Sequence, residues 1–336
     1  MQYDHILLEH GSGGLLSHDL VRNLFLPLFR NEHLSRLEDA ATFCIGSQRF
    51  CLTTDSYVVH PLFFPGGDIG SLAVHGTVND IAMSGGRPLF LSAGFIIEEG
   101  FPYRDLQTIC RSMAAAAERA GVKIVTGDTK VVPRGTADGL FISTSGIGII
   151  EYSAPPGVAC IRPGDVIIVN GPVGDHGAAI LQARQSLGFK SAVISDSAPL
   201  NGLVAGILES NPHIHCMRDA TRGGLGGILA EMAEQSGLVF ILDEAQIPIH
   251  EDVRAICEML GLDPLYLANE GKMVLFCPAT EADSILSVMK NHSYGQEGAV
   301  IGRVKEGKRG RLILQTTIGG SREIDLPTGE LIPRIC

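Results

Sequence analysis

Strand-like and helix-like segments alternate through the first half of this chain, and their order limits the possible folds more than any other feature. Predicted strands cover residues 49–54, 89–97, 122–126 and 140–150, and predicted helices cover residues 69–84 and 104–120. Asp68 is a candidate N-cap, and Gly85 and Gly121 follow the two helices, where a helix commonly ends. This order predicts an α/β (α+β) domain.

The second half continues in the same way after a segment rich in turn residues. Predicted strands cover residues 166–170, 239–242, 272–277, 299–304 and 312–315, and predicted helices cover residues 176–185, 225–235 and 281–290. Three prolines and a glycine within residues 153–163 predict a domain boundary there. We therefore expect two domains, residues 1–153 and 154–322, and a flexible tail of residues 323–336.

Composition narrows the class of protein. With 41 glycines, no tryptophan and 6% aromatic residues, the chain is typical of an α/β enzyme with many tight turns. The net charge of −11 argues against a nucleic-acid surface, which needs clustered Lys and Arg. The eight cysteines form no CxxC pair, so neither a disulfide framework nor a zinc site is implied. No signal peptide or membrane span is recognisable, and we expect a cytoplasmic protein.

Acidic residues follow or interrupt apolar elements at four places. These are Asp55, Asp80, Asp128 and Asp219, each with small residues beside it. Ligands in α/β proteins commonly bind at the ends of parallel strands, and converging carboxylates need a cation such as Mg²⁺. Asp55 or Asp128 alone is equally well explained as an ordinary turn residue. Asp80 is not, because an unpaired charge inside an apolar helix is costly.

Other segments could hold a phosphate or act on one. Backbone N–H groups bind phosphate where glycine allows a close approach, and three segments qualify: 11–14, 171–174 and 223–224. None is followed by the Lys-Ser/Thr of a Walker loop, so each could be a plain turn. Lys130 could hold a phosphate, and Glu270 could act as a base. Without further context, a solvated loop charge is the favoured interpretation of each.

Cys336, the last residue of the sequence, ends a segment that contains Pro327 and Pro333. A thiol on an extended tether can be modified by one protein and inserted into another. The alternative is a frayed end without function.

Together these segments resemble one family, the HypE hydrogenase maturation proteins, which belong to the superfamily of aminoimidazole ribonucleotide synthetase (PurM) and selenophosphate synthetase. The resemblance covers essentially the whole chain, with order and spacing kept. The matching motifs are His10-Gly11-Ser12-Gly13-Gly14, Thr54-Asp55-Ser56, Asn79-Asp80, Gly127-Asp128-Thr129-Lys130, Arg218-Asp219-Ala220-Thr221-Arg222-Gly223-Gly224, Asn269-Glu270-Gly271 and Pro333-Arg334-Ile335-Cys336.

The resemblance implies a two-domain PurM-like ATP-binding fold whose N-terminal domains pair in a homodimer. It implies that the carbamoyltransferase HypF loads a carbamoyl group onto Cys336. ATP then drives dehydration of this group to an S-cyano group, which passes to iron on the HypC–HypD complex as the cyanide ligand of NiFe hydrogenases. A small-molecule ATP-dependent synthetase with an inert tail and a non-catalytic thiol carrier remain alternatives.

The resemblance also implies roles for individual residues. The implied catalytic residues are Cys336, with Glu270 as the base and Lys130 as an orienting or proton-transfer group. The implied Mg²⁺ ligands are Asp55, Asp80, Asp128 and, with them, Asp219. The implied ATP-binding residues are Gly11, Ser12, Gly13, Gly14, Asn79, Thr129, Thr221, Gly223 and Gly224.

Overall fold

The first domain is a five-stranded sheet with two long helices packed on one face. The computed structural model describes residues 4–11, 13–152, 155–184, 192–210, 213–327, 329, 332 and 334–336. The sheet has the strand order β1-β2-β7-β5-β6. The elements are α1 (Leu15–Leu20), a π-helical turn (Val21–Phe25), α2 (Leu26–Phe29), β1 (Ala41–Ile45), β2 (Gln48–Tyr57), β3 (Phe63–Phe64), β4 (Gly67–Asp68), α3 (Ile69–Met83), β5 (Gly86–Glu98), α4 (Tyr103–Ala120), β6 (Lys123–Val132) and β7 (Leu140–Ile150).

The second domain is a seven-stranded sheet with helices on both faces. Its strand order is β14-β13-β10-β12-β8-β11-β9. The elements are β8 (Asp165–Val169), α5 (Asp175–Arg184), α6 (Asn201–Ser210), β9 (Cys216–Asp219), α7 (Gly224–Ser236), β10 (Val239–Asp243), α8 (Glu251–Leu260), β11 (Met273–Pro278), α9 (Ala282–Lys290), β12 (Ala299–Lys305), β13 (Arg311–Gln315) and β14 (Ser321–Ile324). Short 3-10 turns cover Leu8–Gly11, Leu34–Arg36, Val158–Cys160, Glu244–Gln246, Pro264–Tyr266 and Ala279–Glu281.

Helix α3 connects the two domains. Asp68 caps it by accepting hydrogen bonds from the backbone N–H groups of Gly70 and Ser71, as the sequence predicts. The Asn79 amide donates to Ala198 O at 3.0 Å and accepts from Leu200 N at 2.8 Å. The last turn of α3 is thereby fixed against the segment that precedes α6.

Two strand predictions end too early. The strand at 49–54 continues to Tyr57, and the strand at 122–126 continues to Val132, so Asp55, Asp128 and Lys130 lie within strands. Gly127 suggests a turn, but a Cβ at this residue would lie 2.2 Å from Ala93 O on β5. The glycine therefore allows close pairing of β6 with β5 instead of ending the strand.

Most strand pairs are antiparallel. Among the described residues only β5–β6 and β10–β13 pair in parallel, so the acidic residues do not come from the ends of a parallel sheet.

The predicted domain boundary at 153–154 lies outside the described residues. Strand β14 spans the domain boundary predicted at 322–323. Within the described segments, no helix combines the length and apolar character needed to cross a bilayer.

Candidate active site

A cavity of about 600 Å³ lies between the two domains. The first domain contributes α1, the π-helical turn, the end of β2 and one face of α3. The second domain contributes Asp219, Arg222 and Glu270, and Cys336 also reaches the cavity.

Three carboxylates converge on one side of this cavity. Asp39 precedes β1, Asp80 lies in the last turn of α3 and Asp219 ends β9, and one oxygen of each lies within 4.8 Å of the others. Burial, followed by the charges of Asp55, Asp219 and Asp39, raises the pKa of Asp80 well above its ordinary value. Burial also raises the pKa of Asp219 to about 6. Such a group of carboxylates is a good set of ligands for a hard cation, which would offset the repulsion between their negative charges.

One carboxylate oxygen of the cluster is buried without a hydrogen-bond partner among the described residues. Thr53 Oγ1 donates to Asp80 Oδ2 at 2.7 Å, and Arg218 Nε lies 2.7 Å from Asp39 Oδ1. Asp39 Oδ2 is buried and has no hydrogen-bond partner among the described residues. A buried carboxylate oxygen without a partner is costly, and a bound Mg²⁺ would satisfy it.

Glu270 faces the cavity from the loop before β11. Its side chain is only 2% exposed, so it is not a solvated loop charge. The backbone N–H of Glu270 donates to Asp196 Oδ1 at 3.0 Å, and its Oε1 has no partner within the described part of the chain. Burial, then the charges of Asp219 and Asp196, raise the pKa of Glu270 well above the ordinary value.

Cys336 lies in the same cavity as Glu270 and Asp55. Its backbone carbonyl accepts from Val58 N at 2.9 Å. Burial raises the pKa of the thiol to about 12, although the positive charge of Arg222 opposes this shift. Unmodified Cys336 is therefore a neutral thiol near neutral pH.

Two family profiles match the chain in tandem. Residues 37–150 match AIR synthase related protein, N-terminal domain, and residues 162–315 match the C-terminal domain of the same family. Carbamoyl dehydratase HypE of Azotobacter vinelandii is 53% identical over 333 residues, which cover 98% of this chain and 96% of that protein. The chain belongs to the HypE family.

Solved HypE structures agree with this assignment. HypE in a HypE–HypF complex superimposes with a TM-score of 0.87 at 46% identity, covering 92% of this chain and 99% of that chain. A HypE structure in complex with ATP has a TM-score of 0.84 at 47% identity, covering 99% and 100%. The PurM-like two-domain fold implied by the resemblance is confirmed.

The fold of this HypE family member brings eight of the sixteen predicted site residues to one cavity. Asp55, Asp80, Asp219, Glu270 and Cys336 line it, as do Gly11, Gly13 and Thr221. Gly223 lines a smaller adjoining cavity of about 190 Å³ that Cys336 also reaches.

Other predicted ligand-binding residues have structural contacts. Asn79 anchors α3, as described above. A Cβ at Gly14 would lie 2.4 Å from Pro327 O, and one at Gly224 would lie 2.5 Å from Leu265 O. Both glycines therefore allow close backbone packing. Ser12 lies outside the described residues.

Asp128, Thr129 and Lys130 are not near the carboxylate cluster of their own chain. They lie on β6, which β7 and β5 separate from β2 by three strand spacings, or about 14 Å. The register pairs Asp128 with Gly94, Gly94 with Ser143, and Ser143 with Ser56. Asp128 therefore projects on the same sheet face as Ser56, opposite the face used by Asp55. Lys130 Nζ and Asp128 Oδ2 form a 2.8 Å ion pair.

The sequence prediction missed Asp39 and gave no role to Arg222. Asp39 stands in Glu38-Asp39-Ala40-Ala41, an acidic residue next to small residues like the four that were selected. Arg222 Nη1 donates to Gly11 O at 2.9 Å, and Arg222 lines both cavities that Cys336 reaches. Arg222 thus links the first glycine segment to the tail.

Proposed function

We propose that this protein is an ATP-dependent carbamoyl dehydratase that acts on its own Cys336. The observation that carries the proposal is the position of Cys336, which shares one cavity with Glu270 and the cluster of Asp39, Asp80 and Asp219. The product, an S-cyano group, would supply the cyanide ligand of NiFe hydrogenases. Relatives named carbamoyl dehydratase HypE and a HypE structure with bound ATP support the assignment.

The reaction removes water from an amide at the expense of ATP. The carboxamide oxygen attacks the γ-phosphorus, and the bond between that phosphorus and the bridging oxygen of ADP breaks. Loss of both protons from nitrogen and cleavage of the C–O bond then release phosphate and form C≡N. The sum is R–S–CO–NH₂ plus ATP giving R–S–CN, ADP and phosphate. Phosphorylation is needed because an amide oxygen is otherwise a poor leaving group.

The chain's own side chains fit these steps. Asp39, Asp80 and Asp219, with Asp55 beside them, would hold Mg²⁺, which supplies positive charge to the phosphates. Glu270 accepts a proton from the nitrogen when its carboxyl group is ionised. Because Glu270 is only 2% exposed, little bulk water can reach its carboxylate to compete with the substrate amide.

Asp128, Thr129 and Lys130 could reach an active site only from a second copy of the chain. β6 is a ten-residue edge strand, and an uncovered apolar edge is a natural pairing surface. Exposed apolar side chains on this sheet include Leu52, Phe90, Ile96, Ile124, Val125 and Val131. A homodimer through the N-terminal domains would cover them and could carry Lys130 towards the partner's cavity.

The proposed partners follow the reaction sequence. HypF would load the carbamoyl group, as the HypE–HypF complex of a relative supports. The HypC–HypD complex would accept the cyano group, and the reaction is expected in the cytoplasm.

Mass spectrometry of the tail peptide tests the function. The protein is incubated with HypF, carbamoyl phosphate and ATP, and we expect Cys336 to carry first a carbamoyl and then a cyano group. Cys336→Ala should abolish both adducts, whereas Cys110→Ala, which changes an exposed cysteine on α4, should not. Asp80→Asn should release almost no phosphate. Cyanide formation by Cys336→Ala, or normal phosphate release by Asp80→Asn, would contradict the proposal.

A further inference from the structure

Residues 334–336 are held by backbone contacts to the segment that follows β2. Cys336 O accepts from Val58 N, and Arg334 O accepts from His60 N at 3.1 Å. Arg184, the last residue of α5, donates from Nη2 to Arg334 O at 2.6 Å. Such contacts fix the path of the backbone, but they would accept almost any sequence.

The Arg334 side chain adds contacts that depend on its identity. Its guanidinium forms an ion pair with Asp138, and its Nε donates to Val58 O at 2.8 Å. The same group lies 5.7 Å from the centre of the Phe141 ring. Arg334 also adopts a left-handed backbone conformation with φ of +53°, which is uncommon for a residue other than glycine. A residue remains in this conformation only where its surroundings determine it.

Ile335 is fixed on both its side chain and its carbonyl group. The side chain is 5% exposed and belongs to the apolar cluster that includes Val59 and Ala178. The carbonyl lies 2.8 Å from His176 Nε2, and His176 Nδ1 lies 2.8 Å from Ser195 Oγ. Because a carbonyl oxygen only accepts, His176 must carry its proton on Nε2 and accept from Ser195 on Nδ1.

We propose that these contacts form a recognition site for the tripeptide Arg-Ile-Cys, with Arg334 as its specificity-determining residue. The ligand class is a peptide with a guanidinium two residues before the reacting cysteine and an aliphatic residue between them. Lysine does not satisfy the site, because one ammonium cannot pair with Asp138, donate sideways to Val58 O and stack on Phe141 together. The inference rests on the proposed function only in taking Cys336 as the reacting residue.

Alkylation of Cys336 tests this site without ATP, HypF or turnover. The full-length protein is treated with iodoacetamide, and peptide mass spectrometry follows Cys336, with exposed Cys44 as an internal reference. Docking leaves Cys336 half-buried, so the thiol is alkylated faster from the undocked tail, and a rise in the rate reports a rise in the undocked population. We expect Arg334→Lys and Asp138→Asn each to raise the Cys336 rate by about tenfold and to leave the Cys44 rate unchanged.

Asp105→Asn, which removes a partly buried acidic charge in the first turn of α4, is the control variant and should be alkylated at the wild-type rate. Thermal melting verifies that each variant is folded. Cys336 rates within twofold of wild type in both Arg334→Lys and Asp138→Asn would overturn the recognition site. If the rates change as expected but no cyano group ever forms, the proposed function fails and the recognition site stands. If cyanation occurs while the rates do not change, only the recognition site fails.

Discussion

At the scale of single residues, the site is defined by carboxyl groups that the fold forces together. Arg218 offsets part of the repulsion between Asp39, Asp80 and Asp219, and protons or a bound cation would offset the rest. The negative charge of the cluster also acts on Glu270, since the charge of Asp219 contributes to the raised pKa of Glu270. Stability, cation binding and catalysis should therefore respond to the same substitutions.

The cluster predicts how stability without added cation depends on pH. The pKa of Asp219 is about 6 in the folded protein, against an ordinary value of 3.8. The folded state therefore binds this proton more tightly, and the resulting stabilisation, complete below pH 3.8, is lost as the pH rises through 6. We expect Asp80→Asn, which removes one of the repelling charges, to raise the free energy of unfolding by about 1–2 kcal/mol near neutral pH.

Calorimetry without divalent cation, at about pH 5 and about pH 7.5, measures this effect. The advantage of Asp80→Asn over wild type should be larger at the higher pH, and Mg²⁺ should reduce it by stabilising wild type alone. Asp105→Asn should show no such pattern. Equal melting temperatures for wild type and Asp80→Asn at both pH values would contradict the electrostatic account.

Glu270→Gln should separate ATP binding from nitrile formation. The amide keeps the shape of the side chain but cannot accept the proton, so we expect nitrile formation to slow by about 100-fold or more while S-carboxamide accumulates. Glu258→Gln, on the exposed face of α8, should behave as wild type. An unchanged rate of nitrile formation in Glu270→Gln would remove Glu270 from the mechanism.

The sequence predicts the residues whose local surroundings are abnormal. Asp80 could be selected because a charge inside an apolar helix requires a partner. Asp39 lies in an ordinary loop, and only the arrangement of distant elements places it beside Asp80. The position of Cys336 depends in the same way on contacts with α5 and with the segment that follows β2, which no local pattern contains.

At the scale of elements, the approach of α3 to β2 sets the geometry of the site. A Cβ at Gly76 on α3 would lie 2.3 Å from the hydroxyl oxygen of Tyr57. That hydroxyl donates to Asp55 Oδ2 at 3.1 Å. Glycine at this position therefore allows the helix that carries Asp80 to pack directly against the strand that carries Asp55.

Gly76→Ala should therefore destabilise the protein despite the higher helix propensity of alanine. We expect a loss of about 1–3 kcal/mol from overpacking, together with slower phosphate release because Tyr57 and Asp55 must move. Gly206→Ala on α6 is the matched control, since its Cβ would meet Val288 at an ordinary 3.6 Å. Denaturant unfolding should show Gly206→Ala as neutral or slightly stabilised; equal effects of the two substitutions would argue against this packing.

Elements that are bounded by cap or turn residues were predictable from the sequence, and elements that depend on long-range strand pairing were not. Asp68 and Gly121 mark helix ends correctly, and the strand at 140–150 matches β7. The short strands β1 and β14 were missed, because they exist as partners of neighbouring strands and have little pattern of their own. The extension of β6 through Gly127 has the same cause.

At the scale of the whole molecule, the uncovered face and edge of the first sheet predict a dimer. Val125 and Val131 on β6 are 57% and 66% exposed. We expect Val125→Lys to give a folded monomer, measured by light scattering after size exclusion, whereas Ile318→Lys in an exposed turn should leave the dimer intact. A wild-type monomer at micromolar concentration would contradict the prediction.

Mixing inactive variants tests whether Lys130 acts across such a dimer. Asp80→Asn and Lys130→Ala should each be inactive, but a mixed dimer would contain one site with both native residues. After exchange of subunits, about a quarter of the sites should regain phosphate release if Lys130 serves the partner's cavity. No recovery despite demonstrated exchange would place Lys130 in the site of its own chain or outside the reaction.

The presence of Cys336 within the chain's own cavity has a kinetic consequence. Because the reacting cysteine is covalently attached to the protein that carries the active site, its local concentration there does not change when the protein is diluted. Each protein molecule can then hold one carbamoyl equivalent, convert it once and wait until a partner removes the product. Without a partner, each protein molecule would produce at most one cyano group. Turnover would then be limited by the rate at which partner proteins bind the tail.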